Sequence, residues 1–256
     1  MGQAGAMRTI TLVGIGAGHP GHLTLQAIEA IAAAEVFFVM EKGRAADQLV
    51  AMREAILARH ARRPGWRLVR IADPRRAAGG DYQDAVADWH AARTRLLVEA
   101  IARDLPEDGQ GAFLVWGDPA LYDSAIRILD AVAAAGLAFE LKVIPGISAP
   151  QALAAAHRIP LNRIGEPVHV TTGRRIGEGL PREVDSTVVM LDDGTGLAAI
   201  DPAGLDIWWG AYLGTPDEVL MAGPLAEIRD AILTLRAERR AAIGWIMDTY
   251  LLRRRD

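Results

Sequence analysis

Short apolar runs that end in a turn and lead into a helical pattern recur along the first half of the chain. Strands are predicted at residues 9–13, 36–40, 66–71, 112–116 and 139–144. Helices are predicted at residues 24–34, 46–62, 83–105 and 124–135, the first with Thr24 as its N-cap. Alternation of strand and helix favours a parallel sheet, because parallel neighbours need a long crossover. We therefore expect a mostly parallel α/β domain here.

The pattern changes after Pro145-Gly146-Ile147-Ser148, where Ser148 can cap a helix that reaches about residue 157. Strands at residues 168–172, 187–191, 207–213 and 218–222 are closely spaced, which indicates a mixed and more antiparallel sheet. A helix from residue 225 to about residue 237 and a segment at 242–247 follow, and the arginines at 253–255 are interpreted as a solvated terminus. The sequence thus predicts a disordered leader at 1–7 and two α/β domains, at 8–147 and 148–256.

The composition narrows the class of protein. Its 51% of hydrophobic and 23% of charged residues fit a soluble globular protein and exclude general disorder. No apolar run approaches the roughly 18 to 20 residues of a membrane span, and no signal-peptide pattern is present, so we expect a cytoplasmic protein. A net charge of -4 argues against general nucleic-acid binding. The sequence has no cysteine, and its histidines lack the spacing of a metal site, so no metal is expected.

The glycine-rich segment GIGAGHPG, residues 14–21, follows the first predicted strand. Its spacing satisfies the dinucleotide fingerprint G-x-G-x-x-G, and Glu41 ends the next apolar run roughly 20 residues further on, as that motif expects. Pro20 argues against this interpretation, since proline lacks an amide hydrogen where a phosphate-binding loop would lead into its helix. An NAD-dependent dehydrogenase and a binding module without catalytic activity remain the alternatives from other classes.

Two further turns follow predicted strands, at Gly117-Asp118-Pro119 and at Pro145-Gly146. With the first loop they are expected to share the carboxyl edge of the sheet, where ligands of α/β proteins bind. The segments VGIGAGHPGHLT, VWGDPALYDSA, VIPGISA, STVVMLDDG and YLGTPDEVLMAGPLAEI, in this order, resemble the tetrapyrrole methylase family from residue 7 to about residue 237. The resemblance implies two α/β domains with a ligand cleft between them, transfer of a methyl group from S-adenosylmethionine, and a homodimer.

The same resemblance predicts the residues that contact the cofactor, largely through main-chain atoms. They are Gly117, Asp118, Leu121, Ser148, Ala149, Leu191, Asp192, Tyr212, Leu213, Gly214, Pro224 and Leu225. Asp192 departs from the methionine that relatives often carry on this strand.

Residues 41–91, with MEKG and DPRRAAGGDY, are similar to a family member of aerobic cobalamin biosynthesis that methylates carbon 1 of precorrin-5 and releases acetate. The alternatives inside the family are another precorrin or uroporphyrinogen methyltransferase, or diphthine synthase. A tetrapyrrole carries many carboxylates, which guanidinium groups bind bidentately. The predicted substrate-binding residues are Gly16, Gly18, Arg44, Arg75, Arg76, Arg174 and Arg175. A solvated surface position is the alternative for each arginine.

Release of an acetyl group calls for a general base and for a hydrogen-bond donor to the oxyanion. The candidates are His19, Tyr122 and Asp123. His19 replaces the aspartate that the family usually has in this loop, and histidine is the residue type that titrates near neutral pH. Each candidate has a structural alternative: a surface position for His19, packing for Tyr122 and a helix N-cap for Asp123.

Overall fold

The computed structural model describes residues 7–41, 47–74 and 82–255, except for the side chains at 47, 48 and 82–87. Most of the predicted leader at 1–7 lies outside these residues. Within them, no helix is long and apolar enough to cross a lipid bilayer. The chain divides into two compact units: the first runs to Gly16 and from Pro20 to Gly146, and the second contains Ala17–His19 and continues from Ile147.

The first unit is built on a sheet with strand order β3-β2-β4-β1-β5. Its strands are β1 (Thr9–Gly14), β2 (Val36–Glu41), β3 (Arg67–Ala72), β4 (Gln110–Val115) and β5 (Glu140–Ile144). Its helices are α1 (Leu25–Ala33), α2 (Asp47–His60), α3 (Tyr82–Asp104) and α4 (Ala125–Ala134). The described strands of this unit pair in parallel, which confirms the predicted sheet.

Successive side chains of these strands point to opposite faces, and each face has its own core. Phe37 packs in one cluster with Ile31 of α1 and Leu57 of α2. Its neighbour Phe38 packs in the other, with Ile101 of α3 and residues of α4. Helices therefore cover both faces of the sheet, as in other open α/β folds.

The chain changes direction between β2 and β4. It leaves β2 through α2 towards β3, and it leaves β4 through α4 in the opposite direction towards β5. Ligands of open α/β sheets bind outside the carboxyl ends of such a pair of strands. The pairing of β2 with β4 stops at Phe38 and Phe113, whereas β4 stays paired with β1 as far as Val115. The sheet is therefore split between β2 and β4 at its carboxyl edge.

The second unit is built on a sheet with strand order β6-β7-β10-β8-β9. Its strands are β6 (Val168–Thr172), β7 (Ser186–Met190), β8 (Leu205–Ala211), β9 (Val219–Pro224) and β10 (Asp248–Arg254). Its helices are α5 (Ala149–His157), α6 (Gly173–Ile176), α7 (Thr195–Ala199) and α8 (Leu225–Ile243). β6 and β7 are parallel and the other neighbours antiparallel, which confirms the predicted mixed sheet.

The end of the chain differs from the prediction. α8 continues to Ile243. Of the arginines interpreted as a solvated terminus, Arg253 and Arg254 end β10, which lies in the middle of the sheet, and Arg255 follows it directly. The Arg253 guanidinium donates to Pro160 O at 2.8 Å, and the Arg255 guanidinium pairs with Asp206 at 2.7 Å. A central strand is buried on both faces, so it lacks the alternating pattern that identifies an exposed strand.

Candidate functional site

Three glycine-containing turns follow β1, β4 and β5, which are neighbours in the first sheet. Gly117 N donates to Gly16 O at 2.9 Å, and Gly16 N donates back to Gly117 O at 3.2 Å. A Cβ atom on Gly146 would lie 2.1 Å from Gly117 O, and one on Gly14 would lie 2.5 Å from Gly146 N. The prediction that these turns meet at one edge is confirmed, and their glycines allow main chains to approach closely.

Asp118 joins two of these turns through its carboxylate. Oδ2 accepts a hydrogen bond from Gly146 N at 2.8 Å, and Oδ1 accepts one from Ala120 N at 2.8 Å. Both oxygens therefore hold the main chain of the turns after β4 and β5. A direct contact between Asp118 and the cofactor stays a prediction.

The loop after β1 does not lead directly into a long helix. Pro20–His22 form one 3-10 turn, and α1 begins at Leu25. Thr24 caps α1 as predicted, since its Oγ1 accepts a hydrogen bond from Ala27 N at 3.0 Å. A dinucleotide fingerprint places its last glycines at the opening of the helix, where the amides face the phosphate. The geometry of this loop therefore does not support dinucleotide binding.

In the second unit, Gly18 packs against the predicted cofactor segment 212–214. Gly18 has φ +148°, and a Cβ atom on it would lie 2.4 Å from Leu213 O and 2.7 Å from Thr215 Cγ2. The fold therefore places a predicted substrate-binding residue next to a predicted cofactor-binding residue. Leu213 is 4% exposed over its main chain and side chain together, so this residue is almost entirely packed within the second unit.

Three predicted site residues have a left-handed backbone that residues other than glycine rarely adopt. Tyr122, Leu191 and Tyr212 each have φ 53°. Among the described residues only Arg158, at the end of α5, is another non-glycine with positive φ. Each such conformation costs about 1–3 kcal/mol and tends to occur at ligand sites. Tyr122 and Leu191 are also 42% and 67% exposed, so both are accessible to solvent.

Tyr212 is held in this conformation from inside the second unit. Its hydroxyl donates to Trp245 O at 2.6 Å, and the two rings meet edge to face with centroids 5.1 Å apart. The hydroxyl of Thr215 donates to Tyr212 O at 2.7 Å. Burial raises the pKa of Tyr212, which favours its protonated, donating form. The sequence analysis missed Trp245, because it lies far along the chain, in the loop after α8.

The carboxylate of Asp192 is buried and fully hydrogen-bonded. Oδ1 accepts from Gly194 N at 3.1 Å and from Gly196 N at 3.0 Å. Oδ2 accepts from Leu197 N at 2.9 Å and from the Tyr250 hydroxyl at 2.7 Å. Burial and the neighbouring Asp192 raise the pKa of Tyr250, so its hydroxyl remains a donor. Asp192 thus organises the start of α7, and its side chain is not available to the cofactor.

Two other predicted site residues act at helix starts. Oδ1 of Asp123 accepts from Ala125 N, the first residue of α4, at 2.6 Å, but the N-cap position itself is Ser124, so Asp123 lies one residue before the position that the capping alternative gave it. At the start of α5, the side chain of Gln151 accepts from Ser148 N at 2.8 Å and from the Ser148 hydroxyl. Ser148 therefore caps α5 as predicted, and its contact with the cofactor stays a prediction.

The remaining predicted residues differ in exposure. Leu225 is 0% exposed and belongs to the core of the second unit, so its side chain cannot contact a ligand. The partly buried residues are Leu121, Ala149, Gly214 and Pro224, and the exposed ones are His19, Arg174 and Arg175. Arg44, Arg75 and Arg76 lie outside the described residues. No group of side chains that could hold a metal ion occurs in the part of the chain that the structure describes.

Comparison with known proteins agrees with the motifs. The family model for Tetrapyrrole (Corrin/Porphyrin) Methylases matches residues 9–229. A precorrin-6A synthase (deacetylating) from Sinorhizobium sp is 48% identical over 99% of this chain and 98% of its own length. The crystal structure of a cobalamin synthesis related protein, CobF, from Corynebacterium diphtheriae is 42% identical, with a TM-score of 0.86 over 98% of this chain and 100% of that chain.

A more distant solved structure shares the fold. Uroporphyrin-III C-methyl transferase from Thermus thermophilus, complexed with S-adenosylhomocysteine, is 20% identical, with a TM-score of 0.59 over 95% of this chain and 91% of that chain. The family model spans most of the chain, and two relatives above 40% identity match nearly all of it. The chain therefore belongs to the tetrapyrrole methylase family.

Proposed function

We propose that the chain is an S-adenosylmethionine-dependent C-methyltransferase of aerobic cobalamin biosynthesis, which methylates carbon 1 of precorrin-5, releases acetate and yields precorrin-6A. The observation that carries the proposal is the 48% identity, over nearly the whole length of both chains, with a precorrin-6A synthase. CobF from Corynebacterium diphtheriae, 42% identical, supports the same member of the family. The uroporphyrin enzyme from Thermus thermophilus, at 20% identity, supports the fold only.

The described turns fit a cofactor that has no phosphate group. The contacts that we propose are main-chain atoms at 117–121 in the first unit and at 191–192 and 212–214 in the second. The side chains of Asp118 and Asp192 are hydrogen-bonded within the protein, and so are several main-chain groups of these segments. Gly214 N donates to Glu218 Oε2 at 2.7 Å, and Asp192 O accepts from the Arg236 guanidinium at 2.7 Å. The amides and carbonyls without such bonds are the groups that we propose for the cofactor. When bound, S-adenosylmethionine supplies an electrophilic methyl group on a sulfonium.

Methyl transfer from a sulfonium is an in-line displacement, so the protein's main task is to orient the two reactants. The deacetylation also needs a general base and an activated water molecule. A water molecule loses a proton to a general base and attacks the acetyl carbonyl, the carbon–carbon bond to the macrocycle breaks, and acetate leaves. The electron pair left on the macrocycle carbon forms the nucleophile that takes the methyl group.

We assign the base to His19 and the oxyanion donor to the hydroxyl of Tyr122. His19 is exposed and stands where the family usually has an aspartate. Tyr122 combines a strained backbone with an exposed side chain, whereas the carboxylate of Asp123 accepts a hydrogen bond from Ala125 N at the start of α4. A donor to an oxyanion typically contributes a factor of about 100 to 1000 to the turnover rate, so Tyr122→Phe is expected to lose about that much.

The reaction is tested with precorrin-5 and S-adenosylmethionine labelled in the methyl group. We expect labelled precorrin-6A and free acetate in equal amounts. Methylation without acetate would instead indicate a sister methyltransferase of the family. In a melting experiment, S-adenosylhomocysteine is expected to raise Tm and NAD is not, and the reverse result would support the dehydrogenase alternative.

The family resemblance also supports a homodimer that works in the cytoplasm. Light scattering coupled to size exclusion measures the mass of the purified protein, and we expect twice the chain mass of 27.5 kDa. Cell fractionation tests the location.

A further inference from the structure

The split between β2 and β4 contains an arginine that the sequence analysis did not include. Arg53, on α2, donates from Nε to Leu114 O at 2.9 Å and from Nη1 to Leu49 O at 2.9 Å. Leu114 O is free to accept because β2 stops pairing with β4 at Phe113. At the carboxyl edge of the sheet, Arg53 therefore donates to a main-chain oxygen of β4 that β2 no longer pairs with.

The surroundings of Arg53 are apolar. It shares a small cavity with residues of three strands and of α2, namely Phe37, Phe38, Val39, Val50, Leu57, Leu68 and Leu114. Burial lowers the pKa of Arg53, and the charge of Asp123 opposes this effect. No carboxylate of the described residues forms an ion pair with Arg53. A partly desolvated guanidinium without a paired anion is costly, so this position favours an anion from outside the chain.

We infer that Arg53 binds a carboxylate of the tetrapyrrole substrate at the edge between β2 and β4. The inference rests on the proposed function, which supplies the chemical class of the ligand. Three observations carry it: the change of chain direction between these strands, the absence of an anionic partner among the described residues, and two main-chain bonds that hold the guanidinium plane. A fixed guanidinium still has N–H groups for a carboxylate, and its planar fork matches that group.

Binding of uroporphyrin III, a stable tetrapyrrole polycarboxylate, tests this inference by fluorescence titration of the full chain. Arg53→Gln is expected to raise Kd about 10- to 100-fold, the factor associated with one charge-assisted hydrogen-bonded contact. Arg63→Gln is the matched control, because Arg63 also donates from Nε to a main-chain oxygen, Ala33 O at 3.1 Å, and carries the same charge. Its Kd is expected to match the wild type.

Unchanged Kd in a folded Arg53→Gln variant overturns the inference, and so does absence of binding by the wild type. If Arg53→Gln fails to fold, phenylglyoxal modification of the wild type replaces it. Uroporphyrin III is expected to slow the modification of Arg53 but not of Arg63, as read by mass spectrometry, and equal rates with and without porphyrin overturn the inference.

Both experiments measure binding without turnover, so their outcome does not depend on whether the proposed reaction is correct. Protection of Arg53 without acetate release from precorrin-5 would refute the reaction alone. If Arg53→Gln releases acetate with an unchanged KM for precorrin-5, only the role of Arg53 is refuted. A raised KM for precorrin-5 with unchanged affinity for S-adenosylhomocysteine supports that role.

Discussion

Asp118 Oδ2 accepts a hydrogen bond from Gly146 N, 2.8 Å away, and thereby ties the turn after β4 to the turn after β5. Its other oxygen accepts from Ala120 N at the same distance of 2.8 Å. One side chain thus holds the main chain of segment 117–121, which is proposed to contact the cofactor, and that of the turn leading to Ser148, whose contact with the cofactor stays a prediction. Its effect on the cofactor would act through the position of these segments.

Asp118→Ala is accordingly expected to lower both the stability of the free protein and its affinity for S-adenosylhomocysteine. Hydrogen bonds to a charged group contribute about 1.5–3 kcal/mol, and each effect should be of that order. Urea unfolding without ligand and calorimetric titration measure the two quantities. Asp130→Ala, at an exposed position of α4, is the control and should change neither. Lost affinity with full stability would instead indicate a direct contact with the cofactor.

Gly18→Ala is expected to disturb the segment 212–214. The added Cβ atom would lie 2.4 Å from Leu213 O, so the main chain of this segment must shift. Gly65→Ala is the matched control, since Gly65 also has a positive φ, +74°, but no atom within 4 Å of the added Cβ. An unfavourable backbone of this kind costs about 1–3 kcal/mol in each variant, and overpacking adds about 1–3 kcal/mol at Gly18.

The two glycine variants are compared by urea unfolding and by titration with S-adenosylhomocysteine. Only Gly18→Ala should weaken binding. Equal losses of stability in both variants, with binding intact, would show that the contact between Gly18 and Leu213 has no role in holding the segment.

Asp192→Asn is expected to destabilise the protein strongly, although aspartate and asparagine side chains have nearly the same shape. Four donors face the Asp192 carboxylate, and the amide group of asparagine would turn its own donor towards at least one of them. The cost should be about 3 kcal/mol. Asp193→Asn is the control, because Asp193 is exposed and its Oδ1 accepts from Thr195 alone. Urea unfolding followed by tryptophan fluorescence measures both, and similar losses would contradict the proposed network.

The strands and helices of the first unit could be predicted to within a few residues, because apolar runs and glycine turns alternate regularly there. β10 could not, since it follows a long helix and its apolar run Tyr250-Leu251-Leu252 leads into arginines, a pattern also typical of a chain end. α6 and α7 are too short to give a helical period. Local patterns therefore predict the parallel sheet better than the mixed one.

The candidate site could likewise be predicted from the sequence only in part. The glycine turns were predictable, because glycine and Asp-Pro have few other uses after a strand. The residue type at Asp118 and Asp192 was evident, but one donor to each carboxylate comes from a distant segment: Gly146 N for Asp118 and the Tyr250 hydroxyl for Asp192. Arg53 and Trp245 were missed for the same reason: one depends on a split between two strands and the other on a loop that returns to Tyr212.

The free energy of unfolding should decrease as the pH is lowered, and part of this decrease should come from His90. Burial lowers the pKa of His90, and the positive charges of Arg127 and Arg93 lower it further. A histidine with a lowered folded pKa binds a proton less readily when folded than when unfolded, so the unfolded state takes up more protons as the pH falls below about 6.5. The stability present above that pH is therefore lost as the pH falls through the folded pKa.

His90→Gln should reduce the difference in unfolding free energy between about pH 7.5 and about pH 5.5, as measured by urea unfolding at both values. Arg127→Gln removes one of the charges that lower the pKa of His90 and should reduce the same difference while the histidine remains. Part of the dependence should persist, because burial and the neighbouring Arg59 and Arg62 also lower the pKa of His60. A difference as large in His90→Gln as in the wild type would show that the proton uptake on unfolding comes from other groups.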